Sequence, residues 1–222
     1  MLKFLGRGSA FNVKEGNTSG YYIDSSTMFL FDCGEDVFKK VIPLLNNVDN
    51  LCVFITHLNS DHVGSLSSLL FYLKYKTKIR YEVYVDNGLY NDLVNLLELN
   101  GNIEQINCIK LVEGIEVSHI KGMNCFGYLL RYKAHNKTLY YSGDSNDIPE
   151  FVLSKLGEID YIYQDTCLAD YEGNVHLSLR KLCELIPIEH RHKVWCMHLD
   201  CDELIGKAKV EGFNVVEVGY NA

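Results

Sequence analysis

An α/β fold of two mixed sheets flanked by helices, an αββα sandwich, is the architecture this sequence predicts, and three observations predict it. Short strand-like segments fill residues 1–56, strand and helix patterns alternate through the final third, and the two halves follow a similar plan with no linker between them. Two sheets flanked by helices leave one edge, where the sheets meet, as the place for a site. The whole chain, residues 1–222, is expected to form one domain, long for an average domain but ample for a buried core.

The elements follow in order. Tyr21-Tyr22-Ile23-Asp24 and Met28-Phe29-Leu30-Phe31 read as a hairpin around Ser25-Ser26-Thr27. A helix is expected from Asp36 to Leu45, since Val37, Val41, Leu44 and Leu45 recur at helical spacing. Residues 51–55 are a buried strand, 67–73 a helix and 81–85 a strand. Gly88 to Leu99 reads as a helix closed by Asn100-Gly101. Residues 106–141 alternate as strands, with a hairpin turn at Ala134-His135-Asn136-Lys137. The last third gives a strand near 160–164, a helix near 177–186, a strand at 193–197, a helix at 202–211 and a strand at 214–218.

Bulk properties narrow the function classes. Hydrophobic content of 47% and charged content of 23% are ordinary globular values. No apolar run approaches the roughly 20 residues that span a bilayer, and no basic region plus apolar run of a signal peptide opens the chain, so a cytoplasmic protein is expected. Eight cysteines without a Cys-x-x-Cys pair read as reduced thiols, mostly buried, and not as a structural zinc site. A net charge of −8 disfavours a long nucleic acid as partner. The one basic cluster, Lys74 to Arg80, reads either as the solvated end of a helix or as a patch that steers phosphate beside the site.

Chemistry concentrates in Thr56-His57-Leu58-Asn59-Ser60-Asp61-His62-Val63-Gly64, between a strand and a helix. Such a turn can aim two histidines and a carboxylate at one point, and zinc takes imidazole and carboxylate together. The alternative is a surface turn with incidental histidines. Other segments stand out: Phe4-Leu5-Gly6-Arg7-Gly8-Ser9-Ala10, Asn17-Thr18-Ser19, Leu30-Phe31-Asp32-Cys33-Gly34, and His119 ahead of Phe126-Gly127-Tyr128. Tyr141-Ser142-Gly143-Asp144, Gln164-Asp165-Thr166, Val175-His176-Leu177-Ser178 and Trp195-Cys196-Met197-His198 follow. Taken singly, His198 reads as a core histidine, Asp144 as a turn former and His176 as a helix-start residue. His135, His190 and His192 lie in polar turns and read as solvated.

In this order these segments resemble the metallo-β-lactamase superfamily across nearly the whole chain. The turn resembles its His-x-His-x-Asp-His signature, with Asn59 where the second histidine belongs. The resemblance implies one metal on His57, Asn59, His119 and Asp144, and a second on Asp61, His62, Asp144 and His198. Asp61 would also orient or deprotonate the attacking water. Asn59 leaves three readings open: one strong and one weak metal, a disabled chain, or a harder ion such as manganese in place of zinc. The flanking motifs resemble the branch holding ribonuclease Z and cyclic-nucleotide phosphodiesterases, including anti-Pycsar phosphodiesterases, where a catalytic histidine maps onto His176. That implies up to two zinc ions, a small nucleotide substrate, most naturally a 3′,5′-cyclic mononucleotide, and a homodimer. An endonuclease for RNA 3′ ends of ribonuclease Z type is one alternative, without the long glycine-rich arm. A metal-poor protein that binds nucleotide without turnover is the other. The loop from Asn12 to Asn17 could border the pocket.

Overall fold

In the computed structural model, which describes residues 1–132 and 136–219, two six-stranded sheets repeat one plan. The first runs β1 (Lys3–Gly6), β2 (Ser19–Asp24), β3 (Thr27–Phe31), β4 (Asn50–Phe54), β5 (Arg80–Val85) and β6 (Ile109–Leu111). The second runs β7 (Ile115–Glu116), β8 (Phe126–Tyr132), β9 (Lys137–Tyr141), β10 (Tyr161–Asp165), β11 (Val194–Met197) and β12 (Asn214–Val215). In each sheet the first three strands pair antiparallel and the rest parallel. The expected αββα architecture is the one observed.

Three buried clusters hold this arrangement. One lies between the first sheet and its helices α1 (Val37–Val41), α3 (Leu66–Lys76) and α4 (Asn87–Leu99). In α3, Leu66, Leu69, Leu70 and Leu73 are buried at the spacing of one helical face. Another packs the second sheet on α5 (Glu150–Leu153), α6 (Leu179–Leu185) and α7 (Glu203–Val210). The third lies between the sheets and is aromatic: Phe31 stacks on Phe54 at 5.3 Å and on Tyr141 at 4.9 Å. Offset stacking of this kind adds about 1 kcal/mol per pair beyond area burial.

Several boundaries differ from expectation for local reasons. The helix expected over 36–45 splits into α1 and a 3-10 segment, Ile42–Asn47, because Pro43 cannot supply the N–H that an α-helix needs there. Residues Ile103–Cys108 are also 3-10 and not strand. The Ile103 and Ile106 spacing of three fits that turn better than strand alternation. The turn α5 follows Pro149 where no helix was expected. Leu177 and Ser178 precede α6, because Leu177 and Leu179 exchange backbone hydrogen bonds with Cys167 (2.9 Å each) and Ser178 caps the helix. The last expected strand stops at Val215; Val218 crosses to pair with Phe4 of the first sheet. Ala134 and His135 of the expected hairpin turn lie outside the described residues. All eight cysteines are free, but only Cys33, Cys125, Cys167 and Cys196 are buried. No helix among the described residues is long and apolar enough to cross a membrane.

Candidate metal centre

The parallel strands of both sheets deliver their C-terminal ends to one seam. Asp32 follows β3, His57 follows β4, Asp144 follows β9, Asp165 ends β10 and His198 follows β11. Asp32 and His198 adopt left-handed backbone (φ 60° and 59°), so each side chain turns off its strand at once. Between them, α2 (Ser60–Val63) opens at Asn59 and carries Asp61 and His62 in its single turn. Its approach is close: a Cβ on Gly34 would sit 2.0 Å from the Asp61 carbonyl oxygen.

Asp144 is the centre of the cluster. Its Oδ1 lies 3.0 Å from His62 Nε2 and 3.4 Å from His198 Nε2. Its Oδ2 lies 3.8 Å from His57 Nε2 and 3.7 Å from His119 Nε2. Asp61 Oδ2 completes one side, 3.4 Å from His62 Nε2 and 3.3 Å from His198 Nε2. Three donor groups share Asp144: Asp61, His62, Asp144 and His198 on one side, His57, His119 and Asp144 on the other, and a third, Asp144, Asp165, His176 and His198, that overlaps the first through Asp144 and His198.

The hydrogen bonds behind the rings decide which nitrogen faces inward. Thr56 Oγ1 gives its proton to Asp32, so it can only accept from His57 Nδ1 at 3.1 Å. His62 Nδ1 donates to Asp32 Oδ2 (2.9 Å) and His119 Nδ1 to the Val175 carbonyl (2.9 Å). His198 Nδ1 lies 3.4 Å from Asp165 Oδ1. With Nδ1 so held, the neutral rings of His57, His62 and His119 would each turn an Nε2 lone pair to the same small volume. The Nε2 atoms of His57, His62 and His119 and the Oδ1 of Asp144 are buried without a hydrogen-bond partner. Unpartnered imidazole nitrogens converging on a carboxylate are costly unless a cation joins them, so the donor set fits divalent metal.

The electrostatics of the bare cluster agree. Burial pushes the His57 pKa well down, with His62 adding to the effect. Burial also opposes charge on His198, but Asp144 and Asp165 outweigh it and raise the pKa to about 10. His62 is likewise raised, by Asp144 and Asp32 against burial. Burial alone would raise Asp144, yet His198 and His62 hold it well below the carboxylate range.

A family model described as "Anti-Pycsar protein Apyc1" matches residues 1–111 and 98–218. The chain belongs to the Apyc1 family. The Apyc1 protein of Paenibacillus xerothermodurans is 28% identical over 238 aligned residues, covering 93% of this chain and 91% of its own length. Among solved structures, the metallo-β-lactamase fold protein YhfI of Bacillus subtilis superposes with a TM-score of 0.73 at 15% identity, covering 100% of this chain and 96% of that one. Human tRNase Z, short form, superposes with a TM-score of 0.68 at 16% identity, covering 99% and 97%. The fold is that of the metallo-β-lactamases.

In this Apyc1-family chain the structure brings together His57, Asp61, His62, His119, Asp144, His176 and His198. Asn59 is in the same turn, half-buried, but its amide makes no capping hydrogen bond. His176 stands beside the ligand rings, 5.0 Å from His119 and 4.9 Å from His198 between centroids, with Nδ1 on Asp165 Oδ2 at 2.7 Å. Burial works against its charge, but Asp165 prevails and raises its pKa. From the loop that starts at Asn12, Asn12 Nδ2 donates to the carbonyl of Leu199, the residue after His198 (3.0 Å). The basic cluster does not approach the centre. Lys74 pairs with Glu104 and Arg80 with Asn50, which opens β4 at the end away from His57, about 13 Å along the strand from Phe54. His190 and His192 lie on a 3-10 turn away from the cluster, and His135 is outside the described residues.

Asp32, Asp165 and Thr56 were missed as site residues. Their one signal was a carboxylate closing an apolar strand, Leu30-Phe31-Asp32 and Tyr163-Gln164-Asp165, where a buried charge demands a partner. A tight spot joins the seam at Gly143, whose φ is +60° and whose added Cβ would lie 2.6 Å from Thr56 Cβ. Gly143→Ala is expected to cost about 2 kcal/mol or more, through left-handed strain and displacement of Thr56. Thermal unfolding measures it; an unchanged midpoint contradicts the close approach.

Proposed function

We propose that this chain is a metal-dependent phosphodiesterase acting on 3′,5′-cyclic mononucleotides, with zinc as the natural ion. The observation that carries the reading is the pair of donor sets sharing Asp144, with a carboxylate-backed histidine alongside. Paired divalent ions activate water and neutralise charge developing on phosphate oxygens. Membership of the Apyc1 family supports a phosphodiesterase, and the cyclic-nucleotide substrate is what the resemblance to anti-Pycsar phosphodiesterases implies. The net charge of −8 favours a small anion over a folded RNA.

The protein's own groups have assignable parts. Asp144, His57 and His119 would hold one ion, and Asp61, His62, His198 and the same Asp144 the other. Asp61 is well placed to orient the attacking water, being the least enclosed of these carboxylates (5% exposed against 2% for Asp144). His176, partly exposed beside the centre and with its pKa raised by Asp165 against burial, would deliver a proton to the departing sugar oxygen, with Asp165 fixing its ring.

The test is chromatographic. Zinc- or manganese-loaded protein, offered a panel of 3′,5′-cyclic mononucleotides, should yield linear monophosphates, and Asp61→Ala should yield none. Stable nucleotide binding without turnover, unaffected by Asp61→Ala, would instead mark a binding protein. Salt-sensitive cleavage of structured RNA alone would mark a nuclease.

The role of His176 is separable. His176→Ala is expected to lower kcat about 10²–10⁴-fold on a cyclic nucleotide with little change in KM. On an aryl phosphodiester, whose phenolate departs without protonation, the loss should shrink to a few fold. An equal loss on both substrates rules out proton donation.

A further inference from the structure

We propose that the two ion positions are unequal: Asp61, His62, Asp144 and His198 would hold one ion tightly, while His57, His119 and Asp144, with Asn59 in the same turn as His57, would hold an exchangeable one. The inference rests on the metal-centre reading above and adds a difference between its halves.

Donor count is the first reason. The tight position offers four side-chain donors, all buried, two of them carboxylates. The other offers three, and its only carboxylate is the shared Asp144. Asn59 occupies the turn where a fourth donor would come from. Its backbone is committed, with the carbonyl accepting from His62 N (2.9 Å) and Val63 N (3.0 Å). Its amide oxygen carries no charge and is a poorer partner than imidazole for a borderline ion.

The groups behind the rings give a second and independent reason. In the tight position His62 donates to the Asp32 carboxylate, while His198 Nδ1 lies 3.4 Å from Asp165 Oδ1 without a hydrogen bond. In the other, His57 leans on the neutral Thr56 hydroxyl and His119 on the neutral Val175 carbonyl. A carboxylate behind an imidazole raises its basicity as a ligand, and losing such a partner typically costs about 10–100-fold in affinity. Both differences act in the same direction. Three protein donors with a free position are also what catalytic zinc sites keep, whereas four belong to closed ones. The open position is therefore where a phosphate oxygen would enter, and catalysis would track the second equivalent of metal.

The experiment is a zinc titration of metal-free protein against a chromophoric chelator of known affinity, with circular dichroism confirming that each variant is folded. Two equivalents with dissociation constants at least about tenfold apart are expected. His119→Ala should remove the weaker equivalent and spare the stronger; His198→Ala should weaken the stronger. Asn59→His should tighten the weaker equivalent about tenfold or more without moving the other. Two equivalents of equal affinity overturn the proposal, as does an Asn59→His variant, folded, that tightens neither. Where Asn59→His does not fold, the alanine pair decides: loss of the same equivalent in both overturns it. Absence of zinc uptake by the unaltered chain would remove the metal-centre reading itself, an outcome distinct from equal affinities.

Discussion

Asp144→Ala should leave a folded protein with at least about 10³-fold less phosphodiesterase activity, a loss of roughly 4 kcal/mol or more in transition-state stabilisation. The reason is geometric. Among the described residues, Asp144 is the one carboxylate with ion-pair distances to His57, His62, His119 and His198 together, at 3.0–3.8 Å. Without it, one donor set falls to Asp61, His62 and His198, and the other to His57 and His119 alone. Metal content should drop below one ion per chain in elemental analysis. Asp144→Asn keeps the shape but not the charge and should behave nearly as badly, because a neutral amide cannot balance cations from both sides. A variant that keeps two ions would show that Asp144 does not bridge the sets.

The second large effect is expected at a residue that touches no substrate. Asp32 is fully buried and accepts from Thr56 N (2.9 Å), Thr56 Oγ1 and His62 Nδ1 (2.9 Å). Burial raises its pKa, opposed by His62 and Thr56, so its charge depends on those donors. Asp32→Ala leaves a buried amide, a hydroxyl and an imidazole unpaired, which is expected to cost about 3–5 kcal/mol in stability. It also frees the His62 ring and the Thr56 hydroxyl that fixes His57, so both ion positions should loosen. Denaturant unfolding reads the first effect and zinc titration of the folded fraction reads the second. A variant destabilised by less than about 1 kcal/mol would mean that the network relaxes around the gap.

The residues that face the centre were legible in the sequence because each belongs to a short local pattern: the turn His57 to His62, the Gly143-Asp144 step, and His198 closing an apolar strand. The groups that support them were not. Asp32 and His62 are 30 residues apart, and His119 and its supporting Val175 carbonyl are 56 apart, so their meeting depends on tertiary folding and not on local pattern. Short-range reading also overran at Ile42, since periodicity continues across Pro43 while the α-helical hydrogen bonds do not. Val218 crossing to Phe4 was equally invisible, because an alternating pattern does not say which sheet a strand joins. The basic run from Lys74 had a readable composition, but its distance from His57 is set by the length of β4.

The repeated strand plan has a consequence for how the chain matures. Each sheet covers its own apolar cluster with its own helices, yet neither half possesses a complete set of donors. The first half brings His57, Asp61 and His62; the second brings His119, Asp144 and His198. High-affinity capture of an ion must then wait until the aromatic layer between the sheets has closed. A half-folded chain would present only part of either donor set, such as the turn from His57 to His62 without Asp144, and the docking of the halves would complete both sets at once.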